Sequence, residues 1–325
     1  MVEEVQKKII MIKVKRLLLK NYCGFKNIEL DFSKSDNLII MFGPNGCGKS
    51  TLLNSINILS SPWAIQKRTD LYIFLKRLTF NSDYLPGYEN SITYEGNMIA
   101  SIIFELDGKE IVVKMENYLD EMEKEIKIID GKQIVFQTGN RIKNGKQNGI
   151  VLNELPIDKK FYAFYIDADN PVNLNKFQIS NKYKNKFLDL AEAVYGFKCE
   201  LSEGDYNEVE EYDDQTKEYI IFYTDFIINK ISKYGTNRTH FKAMSAGEKK
   251  IANLLSSLCN PLIYDNYDIF LIDNIELHIY FKRHMLLMKK IKEHFSNKQI
   301  IATTHSSVIV DNLEKKHLFD FEKYI

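Results

Sequence analysis

Apolar positions in the first 60 residues come in short bursts with the spacing of strands. Ile12 to Leu19 is rich in Ile, Val and Leu, and Ile28 to Phe32 alternates apolar with polar. Leu38 to Met41 is an unbroken apolar run of the kind that fills a strand buried on both faces. A glycine-rich turn follows, and the spacing becomes helical from Ser50 to about Leu59. The same succession returns near the end of the chain. A helical stretch begins after Ser245, Ile269 to Ile272 is a second unbroken apolar run, a helix is predicted through Lys292, and Gln299 to Thr303 reads as another buried strand.

The middle has a different rhythm. Met98 to Leu106 and Glu110 to Met115 flank Asp107-Gly108, and Lys124 to Ile129 and Gln133 to Phe136 flank Asp130-Gly131. Asp-Gly between alternating runs predicts hairpins, because both central residues of the tight turn must take positive φ. Arg141 to Gly149 is a polar, basic loop, and Phe161 to Ile166 reads as a buried strand closing an antiparallel block. From Asn173 to Tyr195 the pattern is helical. Cys199 to Thr224 stays open between a helix and a hairpin turned at Asp213-Asp214. No internal repeat and no heptad run long enough for a coiled-coil arm is present.

Composition narrows the field without naming a function. With 325 residues, 45% hydrophobic and 27% charged, wholesale disorder and fibrous chains are excluded. The 44 basic and 44 acidic residues cancel, which excludes a cationic coat over the whole surface but leaves local strips at Lys7 to Lys20, Arg141 to Lys146 and Lys176 to Lys186. No apolar run is long enough to cross a bilayer, and Ile9 to Ile12 is broken at once by Lys13 and Lys15, so no secretion signal or membrane partner is expected. Cys23, Cys47, Cys199 and Cys259 are scattered and have no zinc spacing. The expectation is a soluble, cytoplasmic protein.

Chemistry concentrates at a few places. Gly43-Pro44-Asn45-Gly46-Cys47-Gly48-Lys49-Ser50 matches the phosphate-binding loop pattern, and it lies between a predicted strand and a predicted helix. Its glycines let backbone N–H groups wrap phosphates, and the helix N-terminus adds positive charge. Lys49 should reach the β- and γ-phosphates and Ser50 should ligate Mg²⁺. Asp273 ends the apolar strand from Ile269 and is the second candidate to hold the metal. Ser245 and Glu248 have the spacing of a helix capping box.

These residues also carry a resemblance. Met244-Ser245-Ala246-Gly247-Glu248 resembles the signature segment of the ABC-type ATPases, and Ala302-Thr303-Thr304-His305-Ser306 resembles their switch-histidine segment. Asn21-Tyr22-x-Gly24-Phe25 with Leu30-x-Phe32, followed by the loop running on to Thr51, looks like the SMC/Rad50/RecF/OLD branch. Asp273-Asn274-Ile275-Glu276-Leu277-His278 is similar to the Asp-Glu-x-Glu-x-x-(Leu)-His stretch of OLD-like prokaryotic AAA-family ATPases. The resemblance implies an α/β P-loop NTPase fold, an ABC-type ATPase head with an inserted antiparallel β-lobe and a mixed helical lobe. Residues 1–325 would be one such domain. Residues 1–60 and 241–325 would form the nucleotide-binding core, 61–170 the β-lobe and 171–240 the mixed lobe.

It also implies ATP and Mg²⁺ as ligands, and a homodimer in which Ser245 and Gly247 of one protomer face the nucleotide held by Lys49 of the other. His305 would meet the γ-phosphate. Gln137 and Gln178 are candidates for the glutamine that senses it. Tyr22, Phe25 and Lys26 would lie near adenine, or the two rings would be core. Where the branch usually has a catalytic Glu after the metal-binding Asp, this chain has Asn274, an amide that can orient water but cannot accept its proton. Glu276 would take over, or serve as a dimer-contact or capping residue. Hydrolysis is therefore expected to be slow. The absence of arms between the two halves argues against a tether, and the short stretch after His305 leaves no space for the Toprim nuclease of OLD proteins. Stand-alone ATPases of this kind resemble sensor subunits of prokaryotic anti-phage or mobile-element systems that act with a separate effector. A RecF-like DNA-repair ATPase clamping DNA and a non-hydrolysing ATP-bound scaffold are the alternatives, and contact with nucleic acid stays open.

Overall fold

A computed structural model describes residues 11–22, 25–60, 98–106, 108–118, 121–128, 132–138, 163–168, 179–202, 206–213, 218–224 and 227–324. The chain divides into two compact units, one of residues 1–34 and 54–162, the other of residues 35–53 and 163–325.

The first unit is built on a six-stranded antiparallel sheet. Its strands are β1 (Lys13–Tyr22), β2 (Phe25–Asp31), β4 (Met98–Leu106), β5 (Lys109–Tyr118), β6 (Glu121–Ile128) and β7 (Lys132–Thr138), in the order β2-β1-β4-β5-β6-β7. Alternation along β1 puts Leu17 and Leu19 on the buried face, and an irregularity between Val14 and Arg16 lets Val14 be buried too; Leu17 is level with Leu30 of β2 and Ile102 of β4. Leu106 pairs with Lys109 across a two-residue turn in which Gly108 has φ +73°, the backbone that the Asp-Gly pair foretells. Expected in the core from their position before the phosphate-binding loop, β1 and β2 instead belong to this antiparallel sheet. A local pattern gives a strand but not its pairing partner.

The second unit holds a five-stranded, fully parallel sheet in the order β17-β3-β16-β15-β8. These strands are β3 (Leu38–Phe42), β8 (Ala163–Asp167), β15 (Ile269–Asp273), β16 (Gln299–Thr304) and β17 (Leu318–Asp320). The unbroken apolar runs of β3 and β15 have a plain cause: both faces are covered, so neither can be polar. On β15 and β16 every residue is buried. The strand expected to close the antiparallel block is β8, which pairs in parallel with β15 instead.

Helices α2 (Lys184–Tyr195), α3 (Ala246–Leu258) and α5 (His284–His294) pack apolar stripes against this sheet, and α4 (Pro261–Tyr264) and α6 (Ser307–Asn312) are short. Phe187 and Leu190 of α2, Leu255 of α3, Phe270 of β15, and Leu287, Met288 and Ile291 of α5 are fully buried, at about 2 kcal/mol of transfer free energy each. The helix predicted from Asn173 begins at Lys184. Ile179–Ser180 is a two-residue strand, β9, and 173–178 lie outside the described residues.

The stretch left open between helix and hairpin is a hairpin, β11 (Asn207–Asp213) with β12 (Glu218–Thr224), paired from Asn207↔Thr224 to Asp213↔Glu218. A further hairpin, β13 (Ile227–Ser232) with β14 (Gly235–His240), joins β10 (Lys198–Glu200) in a small sheet. Among the described residues of 171–240 strand therefore predominates, with α2 their one helix.

Candidate functional site

The site is built where parallel strands end. Thr304 of β16 is level with Phe42 of β3, Ile272 of β15 with Ala302 of β16, and Asp273 with Asp167 of β8. The carboxyl ends of four adjacent strands therefore form one edge, and Gly43, His305 and Asn274 are the first residues beyond three of them. Ligands of open parallel sheets sit outside that edge.

The loop from Gly43 to Gly48 needs its glycines. Gly43, Gly46 and Gly48 have φ of +152°, +77° and +98°. A Cβ on Gly43 would come within 2.9 Å of the Cβ of Phe321, the buried residue just after β17. At position 46 it would meet open space, so there the constraint is the backbone alone.

The loop enters α1 (Lys49–Ser60), whose first turn is closed by Leu52 N–H donating to the Gly48 carbonyl at 2.9 Å. Lys49 is only 5% exposed. Its ammonium donates to the carbonyls of Gly43 and Pro44, each at 2.8 Å, and lies 3.6 Å from the Cys47 sulfur. Pro44, Asn45, Gly46 and Ser50 are exposed, and Thr51 is half-buried. One ammonium, one exposed hydroxyl, a helix N-terminus and a strand-end carboxylate are a donor set that fits a nucleoside triphosphate with its Mg²⁺.

Asp273 is buried and held by hydroxyls. Thr303 donates to Oδ1, and Tyr165 donates to Oδ2 at 3.2 Å. Burial pushes the Tyr165 phenol well above its usual range, and the negative charges of Asp273 and Asp167 push the same way. Thr303 also accepts the Asn274 N–H at 2.8 Å. Asn274 stands at φ +54°, a left-handed conformation that Asn tolerates better than most residues. Its side-chain amide makes no hydrogen bond among the described residues.

Glu276 reaches back to the end of β16, accepting from the Thr304 hydroxyl at 2.8 Å and from the His305 N–H at 2.7 Å. The His305 side chain is exposed. Residue-type patterns singled out Asp273, Glu276 and His305, but not Tyr165, Asp167 or the role of Thr303. The only trace of the last in the sequence is a pair of hydroxyls, Thr303-Thr304, closing an otherwise apolar strand.

Ser245 caps α3 with the expected reciprocal box. Its Oγ accepts the Glu248 N–H at 3.3 Å, and its own N–H donates to Glu248 Oε2 at 3.0 Å. The other carboxylate oxygen of Glu248 meets the buried Lys230 ammonium at 2.6 Å. Lys230 holds the Glu248 carboxyl below the usual range, burial opposes this, and the Ser245 contacts assist. A Cβ on Gly247 would lie 3.7 Å from His278, so the start of α3 adjoins the turn after β15.

Tyr22 and Phe25, level with each other across β1 and β2, are buried within the first unit, while Lys26 is exposed. The Gln137 side chain, Gln178 and the strip at 141–146 lie outside the described residues. The other basic strips are partly answered within the fold. Lys15 bridges Glu105 at 3.1 Å, Lys182 bridges Asp265 at 2.9 Å, and Lys186 lies 3.5 Å from the centre of the Tyr264 ring.

The profile of the RecF/RecN/SMC N terminal domain matches residues 13–322. The chain belongs to that family. The fold agrees: this RecF/RecN/SMC chain is similar to the SMC head domain from Thermotoga maritima, with 19% identity, a TM-score of 0.53, and 95% of this chain and 94% of that one covered. An SmcHead bound to the C-winged helix domain of ScpA superposes with a TM-score of 0.53 at 18% identity, over 92% of each chain.

Among curated proteins, the chain is 29% identical to the Retron Ec83 probable ATPase of Escherichia coli over 185 residues, 54% of this chain and 32% of that one. It is 23% identical to the Retron Vc95 probable ATPase of Vibrio cholerae serotype O1 biovar El Tor, over 94% of this chain and 73% of that one. The match thus spans about a third of the first relative's length and about three quarters of the second's. Family and fold make this an α/β P-loop ATPase of the SMC/RecF type, for which ATP with Mg²⁺ is the implied ligand. Among the described residues no helix is long and apolar enough to cross a membrane.

Proposed function

We propose that this RecF/RecN/SMC chain is an ATP-driven dimerising switch that hydrolyses ATP slowly. The observation that carries the reading is the shared edge where Gly43, Asn274 and His305 each follow the end of one of three adjacent parallel strands. Lys49 would leave its loop carbonyls for the β- and γ-phosphates, and Ser50 and Asp273 would hold Mg²⁺, which neutralises charge on the phosphates. Asn274, with its amide unengaged, would orient the attacking water, and His305 would meet the γ-phosphate. Ser245 and Gly247, at the exposed start of α3, would complete the site of a second protomer.

The likeness to two probable ATPases of retrons supports a part in an anti-phage or mobile-element system, in the cytoplasm and with a separately encoded effector. A non-hydrolysing, ATP-bound scaffold is the second reading, favoured by the amide at position 274.

Two substitutions test the switch. Lys49→Ala is expected to abolish ATP binding in calorimetry with the fold intact. Ser245→Arg is expected to keep ATP binding but lose the nucleotide-dependent dimer seen by light scattering. A dimer indifferent to nucleotide, or unchanged by Ser245→Arg, refutes the sandwich. A dimer that forms on ATP without any turnover selects the scaffold.

A further inference from the structure

The carboxylate of Glu276 is engaged by the strand end that carries His305. One oxygen accepts the His305 N–H at 2.7 Å and the other the Thr304 hydroxyl at 2.8 Å. The connections continue through buried side chains. Thr304 Oγ1 accepts the Ser306 N–H at 3.0 Å, and Ser306 Oγ lies 2.7 Å from His284 Nδ1. His284 Nε2 lies 2.9 Å from the Ile279 carbonyl. A carbonyl can only accept, so Nε2 carries a proton. Ile279 N–H in turn donates to the Glu276 carbonyl at 3.0 Å, and the circuit closes. Thr304, Ser306 and His284 are all at most 8% exposed, so the bonds among them act at low dielectric, while the Glu276–His305 bond lies at the exposed end of the circuit.

We infer that Glu276 is a positioning residue for His305 rather than the base that takes a proton from water. It clamps the turn after Asp273 to the first residue beyond β16, so that the histidine's backbone is set by the strand that carries the metal-binding carboxylate. The two elements cannot shift independently without breaking the His305 N–H bond and leaving a buried Thr304 hydroxyl unpaired. The inference rests on the reading of His305 given above.

Paired substitutions separate the two roles. A glutamine at 276 keeps one oxygen to accept the His305 N–H and can still hold Thr304 by donating its amide to Oγ1, which leaves only the Thr304 hydroxyl hydrogen without its acceptor, but it cannot act as a base. Glu276→Gln should therefore keep turnover near that of the parent, while Glu276→Ala should lower it by about 10²-fold through misplacement of His305. In a His305→Ala background Glu276→Ala should add nothing. A base would instead make both substitutions at 276 cost about 10²–10⁴-fold. That result, or full additivity with His305→Ala, overturns the inference.

Amide hydrogen exchange of the 303–308 segment supplies a readout apart from activity. Protection of the His305 N–H should survive Glu276→Gln and fall in Glu276→Ala. Thr304→Val, which removes one anchor and keeps the shape, should leave that protection intermediate and serves if Glu276→Ala does not fold. Unchanged protection in Glu276→Ala and in Thr304→Val refutes the clamp. A parent chain that binds no ATP refutes the proposed function instead, and the exchange result then decides the clamp by itself.

Discussion

Replacing Thr303 with valine tests whether one hydroxyl organises the metal-side half of the site. Thr303 is fully buried on β16, and valine keeps its branched shape and its fit to a strand. The hydroxyl does two things at once: it donates to Asp273, and it accepts the N–H of Asn274 at 2.8 Å. Losing the first removes a hydrogen bond to a charged group, worth about 1.5–3 kcal/mol, and losing the second orphans a donor, at about 1–3 kcal/mol. The sum is about 2.5–6 kcal/mol, and at about 2 °C per kcal/mol for a chain of this size the melting temperature should fall by about 5–12 °C. Thr303→Ser keeps the hydroxyl and loses one methyl, so it should cost only about 1 kcal/mol. Thermal unfolding of the three chains is the assay, with the Mg²⁺ requirement for ATP binding as a second readout expected to weaken only in Thr303→Val. If Thr303→Val melts with the parent, or if the serine chain falls as far as the valine chain, shape and not the hydroxyl sets Asp273 and the reasoning fails.

Asn274→Glu places a carboxylate where relatives of the branch keep one. Steady-state turnover should rise at least about tenfold, a conservative part of what a positioned base contributes. The left-handed backbone at φ +54° should make the glutamate chain somewhat less stable, so an unchanged rate in a chain that melts normally refutes the slow-switch account. Acid should act through Glu248. Its folded-state pKa is depressed, chiefly by Lys230, so its contribution is present above its usual value of 4.5 and lost as pH falls through the folded value. Asp189 adds to this: burial pushes its carboxyl up, but its bonds to His294 and Lys290 more than offset that, and the net shift is downward. The melting temperature should drop as pH is taken below about 5, and Glu248→Gln, which keeps the capping geometry, should flatten that slope.

The phosphate-binding loop could be read directly, because its requirements are local. Glycine at 43, 46 and 48 answers to positive φ, and Lys49 and Ser50 follow within one turn of the loop. The buried strands of the parallel sheet could be read for the same reason, since a segment covered on both faces has to be apolar throughout. The capping box at Ser245 and the hairpin turn at Gly108 are likewise settled by residues a few positions apart.

Pairing across distance could not be read. Nothing in Lys13 to Lys20 says that it joins Met98 to Leu106, and nothing in Ala163 to Ile166 says that it lies beside Ile269 to Ile272, because an apolar run fits any sheet that buries it. Glu276 shows the limit most clearly. From the sequence it was a carboxylate near an aspartate expected to hold the metal, open to three readings, and only the return of β16 beside β15 brings the Thr304 hydroxyl and the His305 N–H against its two oxygens. Local backbone requirements are written in neighbouring residues, whereas the partner of a hydrogen bond is chosen by how distant strands pack, and that choice belongs to the tertiary structure.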